Sequence, residues 1–256
     1  MNAIKKFIYS NIVPAIGAIT ANRNRYVNVI YYHDVVDGPG ESYMKINIEK
    51  FKRHMFYLRD HGWQTIRFDD LQSNDDCRID SGRKRVLITF DDGWRSNYDA
   101  IFEFMNNNGL KYNIFLETAK IGNDPNYLSW DLVRKMHQSG TVGFGAHTFS
   151  HPNMADVTAL DLDRELTLAN DIIRRETGIE ARDFCFPFGA YSADSIDKIR
   201  RYGLYDRIYT SDMRYSYPIG DTLIFGRNAI SDAESFGVFK AKLKGRFNVW
   251  HLLFNR

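Results

Sequence analysis

VLITFDDGW, residues Val86 to Trp94, carries five strand-forming residues straight into two adjacent carboxylates and a glycine. A short apolar run bounded by turn chemistry reads as a strand buried on both faces, as in parallel sheets. Gly93 can turn the chain sharply after it. The pattern recurs in both directions. Runs at Val27 to Tyr32, Gln64 to Ile66, Tyr112 to Leu116, Val142 to Ala146, Asp183 to Phe186 and Asp206 to Thr210 predict six more strands. Between them, Ile48 to Asp60, Ser96 to Asn108, Trp130 to Ser139, Thr158 to Thr177 and Ala193 to Tyr202 space apolar residues three and four apart and predict covering helices. Gly62, Gly109, Gly140, Gly178 and Gly203 stand where those helices should stop. The alternation predicts an α/β fold, either a closed barrel or an open doubly wound sheet. In both, functional side chains gather beyond the C-terminal ends of parallel strands. His33 after VNVIYY, Asp91 and Asp92 after VLITF, His147 after VGFGA and the PFG of 187–189 after DFCF all fall there.

A chain of 256 residues is long enough for one barrel-sized domain, and no linker, repeat or low-complexity tract divides it. Residues 27–256 are therefore read as a single catalytic domain. Hydrophobic content of 44% and charged content of 26% exclude disordered and fibrous classes. A net charge of +2 without a long basic run leaves no electrostatic footprint for nucleic acid. Cys77 and Cys185 are far apart and lack a CxxC spacing, which argues against a disulfide framework and fits a reducing compartment.

Residues 1–26 stand apart as an amphipathic or targeting-like segment. Lys5 and Lys6 precede an apolar stretch from Phe7 to Ala21 that Ser10, Asn11 and Pro14 interrupt. This suits the charged and apolar regions of a signal peptide, and equally a helix lying on a membrane surface or on the domain. No stretch of 18 apolar residues occurs, which argues against a membrane-spanning helix. The expectation is an uncleaved segment able to make peripheral membrane contact, with a cytoplasmic or peripheral location rather than secretion.

Carboxylates at a strand end are costly unless paired or ligating. One reading of Asp91-Asp92-Gly93 has one Asp capping the helix near Ser96 and the other solvated; the other has one ligating a metal and its neighbour acting as a base. GAHTFSHPN places His147 and His151 four residues apart. They are either two unrelated surface histidines or a pair converging on zinc. One Asp with two His forms a facial set that leaves positions open for water and substrate.

TFDDG at 89–93, HTFSH at 147–151 and FPFGAY at 186–191 resemble, in order and spacing, the first three motifs of the polysaccharide deacetylases of carbohydrate esterase family 4, the NodB homology domain. The resemblance extends over roughly residues 27 to 230. It implies a distorted (β/α)7-type barrel that hydrolyses the N-acetyl group of a sugar. It further implies that Asp92, His147 and His151 bind a divalent metal, usually zinc, that Asp91 is the base, and that the backbone N–H of Phe188 helps hold the oxyanion. Pro187, Gly189 and Tyr191, from the third motif, are placed with substrate. VIYYHDV at 29–35 resembles the N-terminal segment of a subgroup that deacetylates poly-N-acetylglucosamine, in which a late His motif is permuted to the front. His33 is accordingly the expected acid for the leaving amine, with Asp34 either orienting it or serving a turn.

The chain departs from the family in two places. Cys185 occupies the position where many members carry an Arg that orients the base; Arg227 is a candidate replacement, though a surface or structural Arg is the preferred reading, and Cys185 reads as a buried small hydrophobe. The late Asp-Trp motif is not recognisable. Trp130, before a helix, reads as a sugar-stacking platform or a core aromatic, and Tyr31, Tyr32 and Trp94 share that ambiguity. The expected substrate is an N-acetylated oligo- or polysaccharide or a lipid-linked glycan. The competing classes are a non-catalytic carbohydrate-binding relative, against which all four motif residues speak, and a glycosidase, disfavoured because its carboxylates must flank the scissile bond about 5 Å or more apart.

Overall fold

The computed structural model describes residues 3–20, 23, 25–40, 44–79 and 82–254, so Ala21 of the apolar N-terminal stretch lies outside the described residues. The chain opens with α1 (Ala3–Phe7), which passes through a π-helical turn at Ile8–Ile12 into α2 (Val13–Ile19). β1 (Asn28–Tyr32) follows, then a parallel ribbon of β2 (Asp34–Val36) and β3 (Lys45–Asn47). Next come α3 (Ile48–Asp60), β4 (Gln64–Ile66), β5 (Arg85–Phe90), α4 (Ser96–Asp99), α5 (Phe102–Asn107) and β6 (Tyr112–Leu116). The alternation continues through α6 (Trp130–Gln138), β7 (Val142–Ala146), α7 (Ala159–Thr177), β8 (Asp183–Cys185), α8 (Ala193–Tyr202) and β9 (Arg207–Tyr209). β10 (Tyr217–Ile219), β11 (Thr222–Phe225), β12 (Arg227–Ala229), α9 (Phe236–Leu243) and α10 (Trp250–Phe254) complete it.

Local chemistry fixes the helix ends. Asn47, Ser129, Thr158, Ser192 and Ser235 cap α3, α6, α7, α8 and α9, each accepting a bond from an otherwise orphaned backbone N–H. The five predicted stop glycines all adopt positive φ. The single helix expected over Ser96 to Asn108 is instead two, because buried Ile101 leaves helical geometry at φ −124°.

The barrel-or-open-sheet question is settled by one strand. β5 has β1 on one edge, while β4 and then β6 share the other, all parallel. From β6 the parallel sheet continues through β7, β8 and β9 to β11, with β10 antiparallel beyond. β11 lies along β9, and after Gly226 the same chain lies along β1 as β12. A side chain at Gly226 would meet the Arg214 carbonyl oxygen at 2.3 Å, so the strand changes partner where only glycine fits. Thr222 to Ala229 thus closes a distorted barrel. The short β4 is among the seven strands expected from the sequence, whereas this closing segment, whose Gly226-Arg227-Asn228 looks like a turn, is not.

Two-residue alternation divides the core. Val29, Leu87, Phe115, Cys185, Tyr209 and Phe225 fill the barrel. Their neighbours Ile30, Ile88, Ile114 and Phe184 face outward and join helix residues such as Phe51, Met55, Val133 and Ile199. β7 contributes glycine inside; a side chain at Gly145 would strike the Phe115 ring at 2.8 Å, so the aromatic takes that volume. Deeper in, Arg207 pairs with Asp183 through two 2.7 Å bonds, and Tyr209 Oη donates to the same carboxylate at 2.8 Å.

Candidate active site

The alternation that fills the barrel also builds the site. One step of two residues beyond the interior positions leads from Tyr31 to His33, from Thr89 to Asp91, from Gly145 to His147 and from Tyr209 to Ser211. Tyr31, His33, Asp91, His147 and Ser211 line one cavity of about 170 Å³ with Met44, Asp92, His151 and Phe188. The turns after β5, β7 and β8 add the last three. Among the described residues the only non-glycines at positive φ are Asp92 (74°), Thr148 (65°), His151 (60°) and Phe188 (57°). Backbone held in this region costs on the order of 1–3 kcal/mol each and persists where the surroundings impose it. Here it turns adjacent side chains toward one pocket.

Asp91 and Asp92 diverge in environment. Arg227, fully buried on β12, donates from Nη1 to Asp91 Oδ1 at 2.7 Å and from Nη2 to Oδ2 at 2.8 Å. Its Nε donates to the Thr210 carbonyl at 2.9 Å, and its guanidinium lies 4.2 Å from the Tyr31 ring centre. Burial works to raise the Asp91 pKa, but Arg227 outweighs it and holds the carboxyl below its usual range. His33 Nε2 stands 3.8 Å from Asp91 Oδ2. Asp92 instead accepts from Trp94 Nε1 at Oδ2, 2.9 Å, and turns Oδ1 toward His147 Nε2 (3.5 Å) and His151 Nε2 (3.3 Å). That buried Oδ1 makes no well-aligned hydrogen bond.

His147 Nδ1 lies 2.8 Å from the Cys185 carbonyl, so the proton belongs there and Nε2 carries the lone pair facing Asp92. Burial lowers the His147 pKa to about 4, which keeps the ring neutral. Burial also pulls His151 down, but Asp92 and Glu117 outweigh it and raise its pKa. Glu165 of α7 accepts from Phe149 N (2.9 Å), Ser150 N (2.8 Å) and Ser150 Oγ (2.6 Å), clamping the turn that carries both histidines.

The donor set suits a divalent metal. Asp92, His147 and His151 each offer a ligand atom, all within 4.8 Å of one another, and one carboxylate oxygen with two imidazole nitrogens matches borderline ions such as zinc. Cys185 lies within the same distance of Asp91 and His147, but burial drives its thiol well above the usual range and leaves it an inert neutral group.

The structure brings together His33, Asp91, Asp92, His147, His151 and Phe188. Others of the expected residues lie elsewhere. Trp130 opens α6 and packs on Gly122 and the outer core, so the sugar-stacking position read for it is not on the cavity wall. Pro187 and Gly189 flank Phe188 without lining the cavity, and Tyr191 stacks on Phe186 and donates to Asp212 at 2.7 Å. Asp34 opens β2 and accepts from the hydroxyl of Ser96, the first residue of α4, at 2.6 Å. Tyr32 is core, whereas Tyr31 and Trp94 belong to the site. The preferred reading of Arg227 as a surface or merely structural residue is corrected by its bidentate grip on Asp91. Glu165, Ser211 and Met44 escaped the sequence reading; only Glu165, a carboxylate spaced along α7 among apolar residues, left a faint signal.

The profile of the polysaccharide deacetylase family matches residues 78–206. A Bacillus subtilis protein provisionally named a polysaccharide deacetylase is 25% identical over 181 residues, 68% of this chain and 61% of its own length. The chain therefore spans about three fifths of that relative. A deacetylase of Streptococcus pyogenes solved with acetate superposes with a TM-score of 0.72 at 16% identity, covering 87% of this chain and 99% of the other. A de-N-acetylase of Aggregatibacter actinomycetemcomitans gives 0.72 at 20% identity, with 84% and 99% covered. At these identities the structural likeness establishes the fold.

Proposed function

The chain belongs to the polysaccharide deacetylase family, and on that premise we propose that it is a metal-dependent hydrolase removing N-acetyl groups from a sugar polymer, oligomer or lipid-linked glycan. The observation that carries the proposal is the pairing of two unlike neighbours: Asp92 turned to His147 and His151, and Asp91 gripped by Arg227 at the same cavity.

Asp92, His147 and His151 would hold the metal, and one carboxylate with two imidazoles would suit zinc. When bound, it supplies Lewis-acid polarisation of the acetyl carbonyl and acidifies a water. Trp94 fixes Asp92 through Oδ2 so that Oδ1 remains directed at the histidines. Asp91 takes the proton from the attacking water; Arg227 keeps it ionised and fixes both its oxygens. The Phe188 N–H, on a residue held at φ 57°, donates to the developing oxyanion. His33, on the same wall, gives a proton to the departing amine. The test is acetate release from N-acetylglucosamine oligomers by the purified chain. Turnover by the parent protein with loss in Asp92→Asn supports the reading; undiminished turnover by Asp92→Asn contradicts it.

A further inference from the structure

We propose that the two ends of the chain form one docking surface for a bilayer carrying anionic headgroups. α1, the π turn and α2 run on without a break and pack against α9 and the chain around α10. Val13 joins Val238, Ala241, Phe247 and Val249 in a separate apolar cluster. A side chain at Gly17 would meet the Arg246 carbonyl oxygen at 1.8 Å, so glycine sets this approach. The Tyr9 ring lies 4.9 Å from that of Phe247 and 5.5 Å from Trp250. Tyr9 Oη donates to Glu234 Oε1 at 2.5 Å, and buried Lys242 Nζ donates to the same oxygen. The N-terminal helix is thereby tied to the barrel by a polar network as well as by packing.

Its outer face lacks the polarity of a solvated helix. Positions 7, 11, 12, 15, 18 and 19 are exposed, three and four apart along one stripe, and Asn11 is the sole polar residue among them. Phe7 is 60% exposed and Ile19 85%. Leu252, Leu253 and Phe254 of α10 are exposed too. Of the eleven large apolar side chains most exposed among the described residues, six lie on these terminal helices. Scattered exposed apolar residues need no explanation, but a concentration of this kind marks an interaction surface.

Charge selects the occupant. The first acidic residue of the sequence is Asp34 and the last is Glu234, while the flanking ends carry Lys5, Lys6, Arg23, Arg25, Lys240, Lys244 and Arg246, besides the buried Lys242 that pairs with Glu234. The nearest acids are engaged: Glu234 by Tyr9 and Lys242, and Asp232 by the Asn47 backbone N–H at 3.1 Å. An apolar helical face with cations at its border, and with its neighbouring acids Asp232 and Glu234 already engaged, fits the interface of an anionic leaflet. A second copy of the chain would bring the same cations face to face.

The test is co-sedimentation of the full chain with phosphatidylcholine vesicles, with and without phosphatidylglycerol, at low and high salt. Binding that requires phosphatidylglycerol, weakens with salt, and falls roughly tenfold or more in Phe7→Ser/Ile12→Ser/Ile19→Ser is expected. These three side chains are exposed, and far-ultraviolet circular dichroism of the variant reports whether the fold survives. A protein that ignores both vesicle types overturns the proposal. So does equal, salt-insensitive binding to phosphatidylcholine alone, or a dimer in vesicle-free solution that the triple variant abolishes. Vesicle binding is read without substrate, so its failure leaves the deacetylase reading untouched.

Discussion

Arg227 reaches both oxygens of Asp91 from a strand 136 positions later in the sequence, and both side chains are buried. Breaking such a pair by removing one partner strands the other as a buried charge, at a cost on the order of 3–5 kcal/mol, whereas replacing both by apolar residues is often close to neutral. Arg227→Met alone is therefore expected to destabilise strongly. Asp91→Leu/Arg227→Met should recover most of that loss yet release no acetate. Urea unfolding of the two variants measures it; a single variant as stable as the parent would show that the clamp is unimportant.

Trp94 donates to the Asp92 oxygen that faces away from the histidines. Loss of a group that orients a metal ligand typically lowers metal affinity about 10–100-fold. Trp94→Phe removes that donor while keeping a ring against Tyr127, 4.6 Å away. Zinc titration in competition with a chromophoric chelator should show the weakening, with unfolding by heat little changed.

Glu165 satisfies two backbone N–H groups and a hydroxyl of the histidine-bearing turn. Glu165→Ala removes both acceptor oxygens and leaves all three donors without this partner. The expected result is zinc affinity lower by roughly tenfold. Equal affinity would mean that the turn holds its shape without the clamp.

Acid should destabilise the fold through His54. This ring stacks on Phe239 at 3.9 Å, lies 3.2 Å from the Tyr32 hydroxyl, and has its pKa lowered to about 3 by burial, with Lys50 and Arg53 adding to the effect. The unfolded chain takes up the proton near the ordinary imidazole value of 6.5 and the folded protein only near 3. Stability is thus full above the unfolded value and declines as pH falls from 6.5 toward 3, by a few kcal/mol in order of magnitude. His54→Phe should lose some stability at neutral pH, since the Tyr32 hydroxyl loses its partner, but vary less across that window. Parallel denaturant titrations at pH 7, 5 and 4 compare the slopes.

Much of this architecture was legible because it follows short-range rules. Buried strands such as Val86 to Phe90 announce themselves as apolar runs, and stop glycines such as Gly178 mark helix ends. Asp91, Asp92, His147 and His151 stand out as candidates because Asp91 and His147 directly follow such strands and Asp92 and His151 lie in the turns after them. The closing strand could not, since Gly226 and the charged Arg227 break the apolar run; only the fold reveals that the arginine faces a carboxylate inside the barrel. Trp130 is ambiguous in the sequence for the opposite reason. An aromatic beside a motif has no sequence mark that separates a sugar platform from an indole packed on Gly122.

Acetate release should depend on a metal held by Asp92, His147 and His151. Stripping the protein with a chelator, removing the chelator, and following acetate release from N-acetylglucosamine oligomers as zinc is added back measures that dependence. Turnover is expected to disappear on stripping and to return at one zinc per chain, with no recovery in Asp92→Asn. Turnover that persists in stripped protein would contradict it.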